Sequence, residues 1–454
     1  MSSKLTFLGA AETVTGSRFL LEKNNKRILI DCGLFQGIKK LRLRNRAPFP
    51  VEPKSIDAIV LTHAHLDHSG YVPALCKEGF NGQIYSTYGT LDLCRILLPD
   101  SGHLQEEEAE RANRHGYTKH KPALPLYTED DAYQSLKYFT PIKYHTEFQP
   151  VEGISVKFTN AGHILGSSCV HVNDGKNNIV FSGDVGRPND PIMRPPEALR
   201  EVDYLIIEST YGDRRHIEVD PKEELEKIVN KTFKKGGVVL IPTFAVGRAQ
   251  SLLHLLTELV HENRIPKVPI YLDSPMAIDA TDIFCRHQEQ HKLSDDECRM
   301  MNNLVTYTPT VEESKAIEFQ NVPKIILSAS GMLTGGRVLH HLKIYLKDQR
   351  NTIIFVGYQA AGTRGANMLS GADRVKVHGE YIPVRAKLVS IDCLSAHADY
   401  EEMTRWLSSI KSAPKKTFIV HGEPQSQDAF RVYLKDKLGW SAVIPSQGDS
   451  EKLK

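Results

Sequence analysis

The sequence predicts an α/β protein in which a Rossmann-like unit is inserted into a first α/β domain. Three observations predict it. Short β-rich runs, punctuated by turn residues such as Gly33, Gly37, Asn81 and Gly82, dominate the first 90 residues. Strands and helices alternate regularly from about residue 208. A strand-dominated style resumes after Pro383. The layout is residues 1–207 and 386–454 for the first domain and 208–385 for the insert. A chain of 454 residues accommodates it, at about 100–200 residues per domain.

The elements follow in order. Strands are predicted at 5–8, 18–22, 27–31, 58–62 and 83–86. Residues from about 91 to 138 read as helical, with 104–114 a solvated, acidic face. Strands return at 155–159, 169–172, 178–182 and 204–207. Asp220-Pro221 supplies an N-cap and a first-turn proline. Leu225, Ile228, Val229 and Phe233 then share one helical face, which Gly236 ends. The insert continues as strand 238–241, helix 248–261, strands 269–272 and 324–328, helix 337–346 and strand 351–356. Strand 387–393, a helix near 400–410 and strand 416–420 return to the first domain.

Composition excludes several classes. Hydrophobic residues make up 41% and charged residues 25%, which is globular and not disordered. With 57 Lys+Arg against 55 Asp+Glu, any basic surface has to be local. There is no apolar run of membrane-helix length and no signal-peptide h-region. The seven cysteines are scattered without a CxxC, which excludes a disulfide scaffold and a Cys₄ zinc site and points to a reducing, cytoplasmic setting.

The chemistry concentrates in Asp57-Ala-Ile-Val-Leu-Thr-His-Ala-His-Leu-Asp-His68. An apolar strand runs directly into His63, His65, Asp67 and His68, four ligand-type side chains at the end of a rigid element. Imidazole nitrogen and carboxylate oxygen suit zinc and similar ions. One loop rarely completes a two-metal site, so further ligands are expected at other strand ends. His163, Asp184 and His421 each follow an apolar strand and lie within two residues of a glycine.

With these motifs in place, the chain resembles a metallo-β-lactamase-fold nuclease with a β-CASP insert, the family of the cleavage-and-polyadenylation endonuclease subunit, its prokaryotic relatives and, more distantly, RNase J. Asp31, the His63–Asp67–His68 string, His163 and Asp184 match its first four motifs, Glu208 in Ile207-Glu-Ser-Thr-Tyr-Gly212 the acidic one, and His397 and His421 the last two. The resemblance implies an αββα sandwich carrying a Rossmann-like β-CASP domain. It assigns His63, His65 and His163 to one Zn²⁺ and Asp67, His68 and His421 to the other, with Asp184 bridging, and leaves Mn²⁺ open. It places Asp31 behind a ligand histidine, where a carboxylate fixes tautomer and orientation.

Two such ions activate a water and clamp the oxygens of an in-line displacement, which suits phosphodiester hydrolysis. Asp67, His397 and Glu208 form the expected catalytic set, with His397 the general acid and Glu208 the carboxylate that keeps it protonated and oriented. Three strand-to-helix junctions of the insert carry small residues and cations, and a phosphate track is expected on Arg248, Ser330, Gly331, Arg337, Tyr358, Thr363 and Arg364. None is a nucleotide-binding P-loop. By resemblance, His421 favours RNA over DNA. The expected function is a zinc-dependent ribonuclease, endo or 5′→3′ exo, acting on RNA without a membrane, as a homodimer or with RNA-processing partners. The alternatives are a small-molecule thioester or lactone hydrolase, which has no reason to carry the insert, a DNA nuclease, and a scaffold with a defunct site, which should have lost ligands.

Overall fold

The computed structural model describes residues 2–116, 120–216, 219–357, 359 and 362–454. It divides into two compact units: Met1–Pro188, Arg194–Arg215 and His397–Lys454, and Asn189–Met193 with His216–Ala396.

The first unit is built on two seven-stranded sheets. One runs, in spatial order, Ser450–Leu453, Ser3–Phe7, Phe19–Lys23, Lys26–Ile30, Ala58–Val60, Gln83–Ser86 and Phe139–Pro141. The other runs Ala442–Val443, Lys416–Ile419, Tyr204–Ile207, Asn178–Phe181, Ser168–Asn173, Ile154–Asn160 and Glu147–Val151. Alternate residues of the strands turn inward and form one core between the sheets, among them Leu5, Phe7, Ile28, Val60, Val156, Phe158, Ile179 and Ile206. Phenylalanines bridge it: the rings of Phe7 and Phe418 lie 5.0 Å apart and those of Phe19 and Phe181 5.9 Å. Burying such rings removes the most apolar area per residue. The opposite side chains of the second sheet, Leu205, Ile207 and Ile419, pack under helices Tyr400–Leu407 and Pro424–Leu438 through Met403, Leu407, Phe430 and Leu434. Helices Val72–Lys77, Tyr88–His115 and Glu129–Ser135 belong to the first sheet's side, completing an αββα sandwich.

The second unit is doubly wound. Six parallel strands lie in the order Thr306–Tyr307, Ile270–Asp273, Ile325–Ser328, Val239–Pro242, Thr352–Val356 and Lys387–Ile391. Val239, Ile241, Leu272, Ile325 and Ile354 pack on one face with helices Pro221–Phe233 and Arg248–His261. Leu240, Tyr271, Ile326, Ile353 and Phe355 pack on the other with helix Val338–Tyr345. Asp220 caps its helix as expected, its carboxylate accepting Lys222 N at 2.9 Å. One element falls on the other side of the division from its expected place. Strand Lys387–Ile391 pairs in parallel with Thr352–Val356, so it completes the second unit's sheet, and the chain rejoins the first unit at His397 and not near 386. A four-to-six-residue apolar run carries no label of which sheet it joins; that is decided by pairing partners distant in sequence. The crossing expected after residue 207 likewise falls after Arg215, and Asn189–Met193 also belong to the second unit.

All seven cysteines are thiols. Among the described residues no helix is long and apolar enough to cross a membrane.

Candidate metal centre

In the first unit, strands Lys26–Ile30, Ala58–Val60, Ile154–Asn160, Asn178–Phe181, Tyr204–Ile207 and Lys416–Ile419 are followed at their C-terminal ends by Asp31, His63, His163, Asp184, Glu208 and His421. Two of these residues have left-handed backbones, Asp31 with φ +59° and His421 with φ +48°, a conformation that costs a non-glycine residue about 1–3 kcal/mol and clusters at functional sites. Close backbone approach is also built in. A Cβ on Gly33 would lie 1.7 Å from Asp67 O, and one on Gly186 would lie 1.9 Å from Gly162 O. Only glycine lets these turns press against the loops that carry the site.

The structure gathers seven ligand-type side chains. His63, His65, His163 and Asp184 form one group whose ligand atoms lie within 4.8 Å of one another, and Asp67, His68 and His421 form a second. His65 Nδ1 lies 3.2 Å from both His63 Nε2 and His163 Nε2. His421 Nε2 lies 3.3 Å from His68 Nε2 and 3.4 Å from Asp67 Oδ2. Asp184 stands between the groups: Oδ2 is 3.5 Å from His63 Nε2 and from His163 Nε2, and Oδ1 is 3.2 Å from His68 Nε2. His63, His163 and Asp184 are at most 2% exposed.

This donor set fits metal ions. Asp184 Oδ1 is buried yet makes no hydrogen bond of good geometry among the described residues. Ring nitrogens converge on one another at 3.2–3.3 Å, an arrangement that cations between them would satisfy. Burial, helped by the charge on His68, pushes the His63 pKa down to about 3, and burial also lowers His65 and His163, so all three offer neutral, ligand-ready imidazoles. Asp184 is held well below the usual carboxylate range: burial opposes this, but His421, His68 and His63 outweigh it.

Supporting side chains set the tautomers. Asp31 Oδ2 lies 2.7 Å from His68 Nδ1, so His68 donates there and turns Nε2 toward Asp184. Asp31 also accepts from Thr62 N at 2.7 Å and Thr62 Oγ1 at 2.8 Å. Beside the ligands, His397 Nδ1 lies 3.1 Å from both carboxylate oxygens of Glu208. Glu208 is fixed in turn by Val185 N at 2.5 Å and Thr210 Oγ1 at 2.6 Å. Burial depresses the His397 pKa, but the Glu208 carboxylate outweighs it, with help from Asp184 and Asp67, and the value rises to about 9. Thr210 Oγ1 is also 3.1 Å from His421 Nδ1, so one hydroxyl ties the two histidine groups together. Thr62 and Thr210 were missed by sequence reasoning; lying within two residues of His63 and Glu208 was their only signal.

The residues expected to form a phosphate track are placed differently. Arg337 donates to Asp273 Oδ1 at 2.8 Å, Thr308 O at 2.6 Å and Pro309 O at 2.7 Å. Arg364 donates to Lys376 O at 2.8 Å and to Leu333 O. Carbonyls of the fold thus take up donors of both guanidinium groups, and for Arg337 a buried carboxylate does so as well. Arg248 is buried at the start of its helix. Ser330 Oγ accepts Thr334 N at 3.0 Å, bracing its own loop, and Thr363 caps helix Arg364–Leu369. Gly331 lies against Phe244, whose ring a Cβ would meet at 2.9 Å. Tyr358 lies outside the described residues.

A two-sheet sandwich with a histidine–aspartate cluster at its strand ends, interrupted by a doubly wound unit, defines a class of metal-dependent hydrolases. Comparison with known proteins agrees. The model of the metallo-β-lactamase superfamily matches residues 14–231, that of the β-CASP domain residues 249–368, and that of the Zn-dependent metallo-hydrolase RNA specificity domain residues 381–445. The chain is 37% identical to a ribonuclease of Thermus thermophilus, covering 92% of each chain. It is 33% identical to an RNase J-like protein of Methanocaldococcus jannaschii, covering 98% of each. It is also 33% identical to the transcription termination factor FttA of Methanosarcina mazei, covering 97% of this chain and 70% of that one. A crystal structure of a protein of unknown function from Enterococcus faecalis shares the fold with a TM-score of 0.58 at 13% identity, each chain covered completely. The chain belongs to the β-CASP ribonuclease family of the metallo-β-lactamase superfamily, whose fold implies a metal cofactor.

Proposed function

We propose that the protein is a zinc-dependent ribonuclease that hydrolyses RNA phosphodiester bonds at a two-metal site. The observation that carries this reading is the Asp184 carboxylate, with one oxygen 3.5 Å from His63 and His163 and the other 3.2 Å from His68. His63, His65 and His163 would hold one ion, Asp67, His68 and His421 the other, and Asp184 both. Bound there, the ions supply an activated water and neutralise charge on the scissile phosphate.

The chain's own residues do the rest. Asp31 accepts the His68 Nδ1 proton and so directs Nε2 toward the metal side. Glu208 accepts from His397 Nδ1 and keeps the imidazole protonated, leaving the Nε2 proton for the departing 3′ oxygen. Products carry 5′-phosphate and 3′-hydroxyl ends. RNA as the substrate is supported by the relatives named as ribonucleases and by the match to an RNA specificity domain. Ser330, Gly331 and Thr363 keep a phosphate-contact role in this reading, whereas Arg337 and Arg364 shape their loops.

Metal analysis together with cleavage of 5′-end-labelled RNA bearing triphosphate, monophosphate or hydroxyl ends tests the proposal. Two zinc ions per chain and chelator-sensitive cleavage are expected. Internal fragments from all three RNAs mean endonuclease action, and mononucleotides from the monophosphate alone mean 5′→3′ exonuclease action. Intact RNA with the zinc-loaded protein overturns the proposal.

A further inference from the structure

The net charge of +2 hides a local excess. Between Asp31 and Glu52 the chain carries Lys39, Lys40, Arg42, Arg44 and Arg46 and no acidic residue. Lys39, Lys40, Arg42 and Arg46 are exposed, and Lys39, Lys40 and Arg42 have no acidic partner among the described residues. Ile38 and Leu43, exposed by 54% and 52%, stand among them. An uncompensated cluster of this kind repels itself, and its natural counterpart is a polyanion.

The segment is anchored to the metal-bearing loop. Cys32 N donates to His68 O at 2.7 Å and Leu34 N to Leu66 O at 2.8 Å, so the turn that launches it lies against the backbone of the ligands. Asn45 closes it at the far end: its Oδ1 accepts Phe35 N at 2.9 Å and its Nδ2 donates to Phe35 O at 2.7 Å. The buried Arg18 braces both ends, donating to Gly33 O at 2.8 Å and to Asn45 Oδ1 at 3.3 Å. The cations are therefore carried on a loop held at its base and clasped at its neck. Lys39 is five residues from Leu34, a reach of at most about 18 Å. Its only α-helical turn is Lys39–Arg42, too short to form the amphipathic helix with which a protein lies on a membrane.

We infer that residues 38–46 form a contact surface for the sugar–phosphate backbone of single-stranded RNA, flanking the bond presented to the metal centre. This rests on the ribonuclease reading above and adds a substrate-binding surface on the metal-bearing unit to it. Lys39, Lys40 and Arg42 neutralise phosphates, and Ile38 and Leu43 cover apolar faces of ribose or base.

The test uses the full-length, zinc-loaded protein and its K39Q/K40Q/R42Q variant, with metal content and Tm as controls for folding. Binding of a fluorescein-labelled 2′-O-methyl RNA 20-mer, which resists cleavage, is followed by anisotropy across a KCl series. The variant is expected to bind about tenfold or more weakly at moderate salt, with a log Kd against log salt slope smaller by about 2, as three lost phosphate contacts on a single strand require. Unchanged affinity and slope overturn the inference. So does a variant that loses binding to phosphatidylserine vesicles while keeping its RNA affinity. Failure of the ribonuclease reading shows separately, as wild-type protein that leaves unmodified RNA intact.

Discussion

Glu208 accepts from a backbone amide, a threonine hydroxyl and a histidine at once, and each partner reports on a different part of the site. His397, in the proposed role of general acid, has a folded pKa raised to about 9. A raised histidine pKa means an interaction fully present below the unfolded value of about 6.5 and lost as pH rises through the folded one. The alkaline limb of the kcat profile is therefore expected near pH 9, and Glu208→Gln should move it down toward about 6.5. His397→Ala should keep both metals by elemental analysis and lose about 10²–10⁴-fold in kcat; wild-type turnover in that variant would remove the role. Thr210→Val deletes the hydroxyl between Glu208 and His421. A loss of about 10–100-fold in kcat is expected from displaced partners of a ligand and an acid, with little change in Tm.

At the scale of elements, the turn that presents His397 depends on the start of helix Tyr400–Leu407. Asp399 accepts Glu401 N at 2.9 Å and Glu402 N at 2.8 Å, while Glu402 reaches back to Asp399 N at 3.0 Å, a capping box. Arg187 holds Glu402 from the other side at 3.1 Å. Asp399→Ala is expected to cost about 1 kcal/mol in urea unfolding and to lower kcat more than it raises KM, because the cap begins two residues after His397. In the second unit, the buried Asp273 gathers Arg337, His341, Ser314 and Thr308. Burial opposes its ionisation, but His341, Ser314 and Arg337 hold the pKa down to about 2. A depressed carboxylate contributes stability above its unfolded value, near 4, and loses it as pH falls through about 2. Asp273→Ala takes the carboxylate away from the part-buried Arg337 and the buried His341 and should destabilise the protein by about 1–3 kcal/mol, read by urea unfolding at neutral pH.

For the whole molecule, ligands drawn from strand ends as far apart in sequence as His63 and His421 make metal binding a cross-link of the first unit. An ion that binds the folded chain alone adds about 2.7 kcal/mol at a hundredfold excess over Kd, so chelation should lower Tm and zinc should restore it; a Tm indifferent to chelator would argue against ions at these residues. Much of this was written locally. The strand running into His63, His65, Asp67 and His68, the glycine-flanked His163 and Asp184, and the Asp220 cap are short-range patterns, legible because each depends on neighbours in the chain. Three things were not. Strand Lys387–Ile391 joined the second unit's sheet, Arg337 and Arg364 turned inward to the fold, and Thr62 and Thr210 became supports of the site. Sequence by itself determined which side chains could ligate and marked the apolar central runs as strands, since side-chain chemistry and periodicity are local, whereas edge strands such as Glu147–Val151 and Ser450–Leu453 went unread. Only the tertiary structure decided which strands pair and which polar groups find partners, because register and hydrogen-bond satisfaction are set between residues hundreds of positions apart.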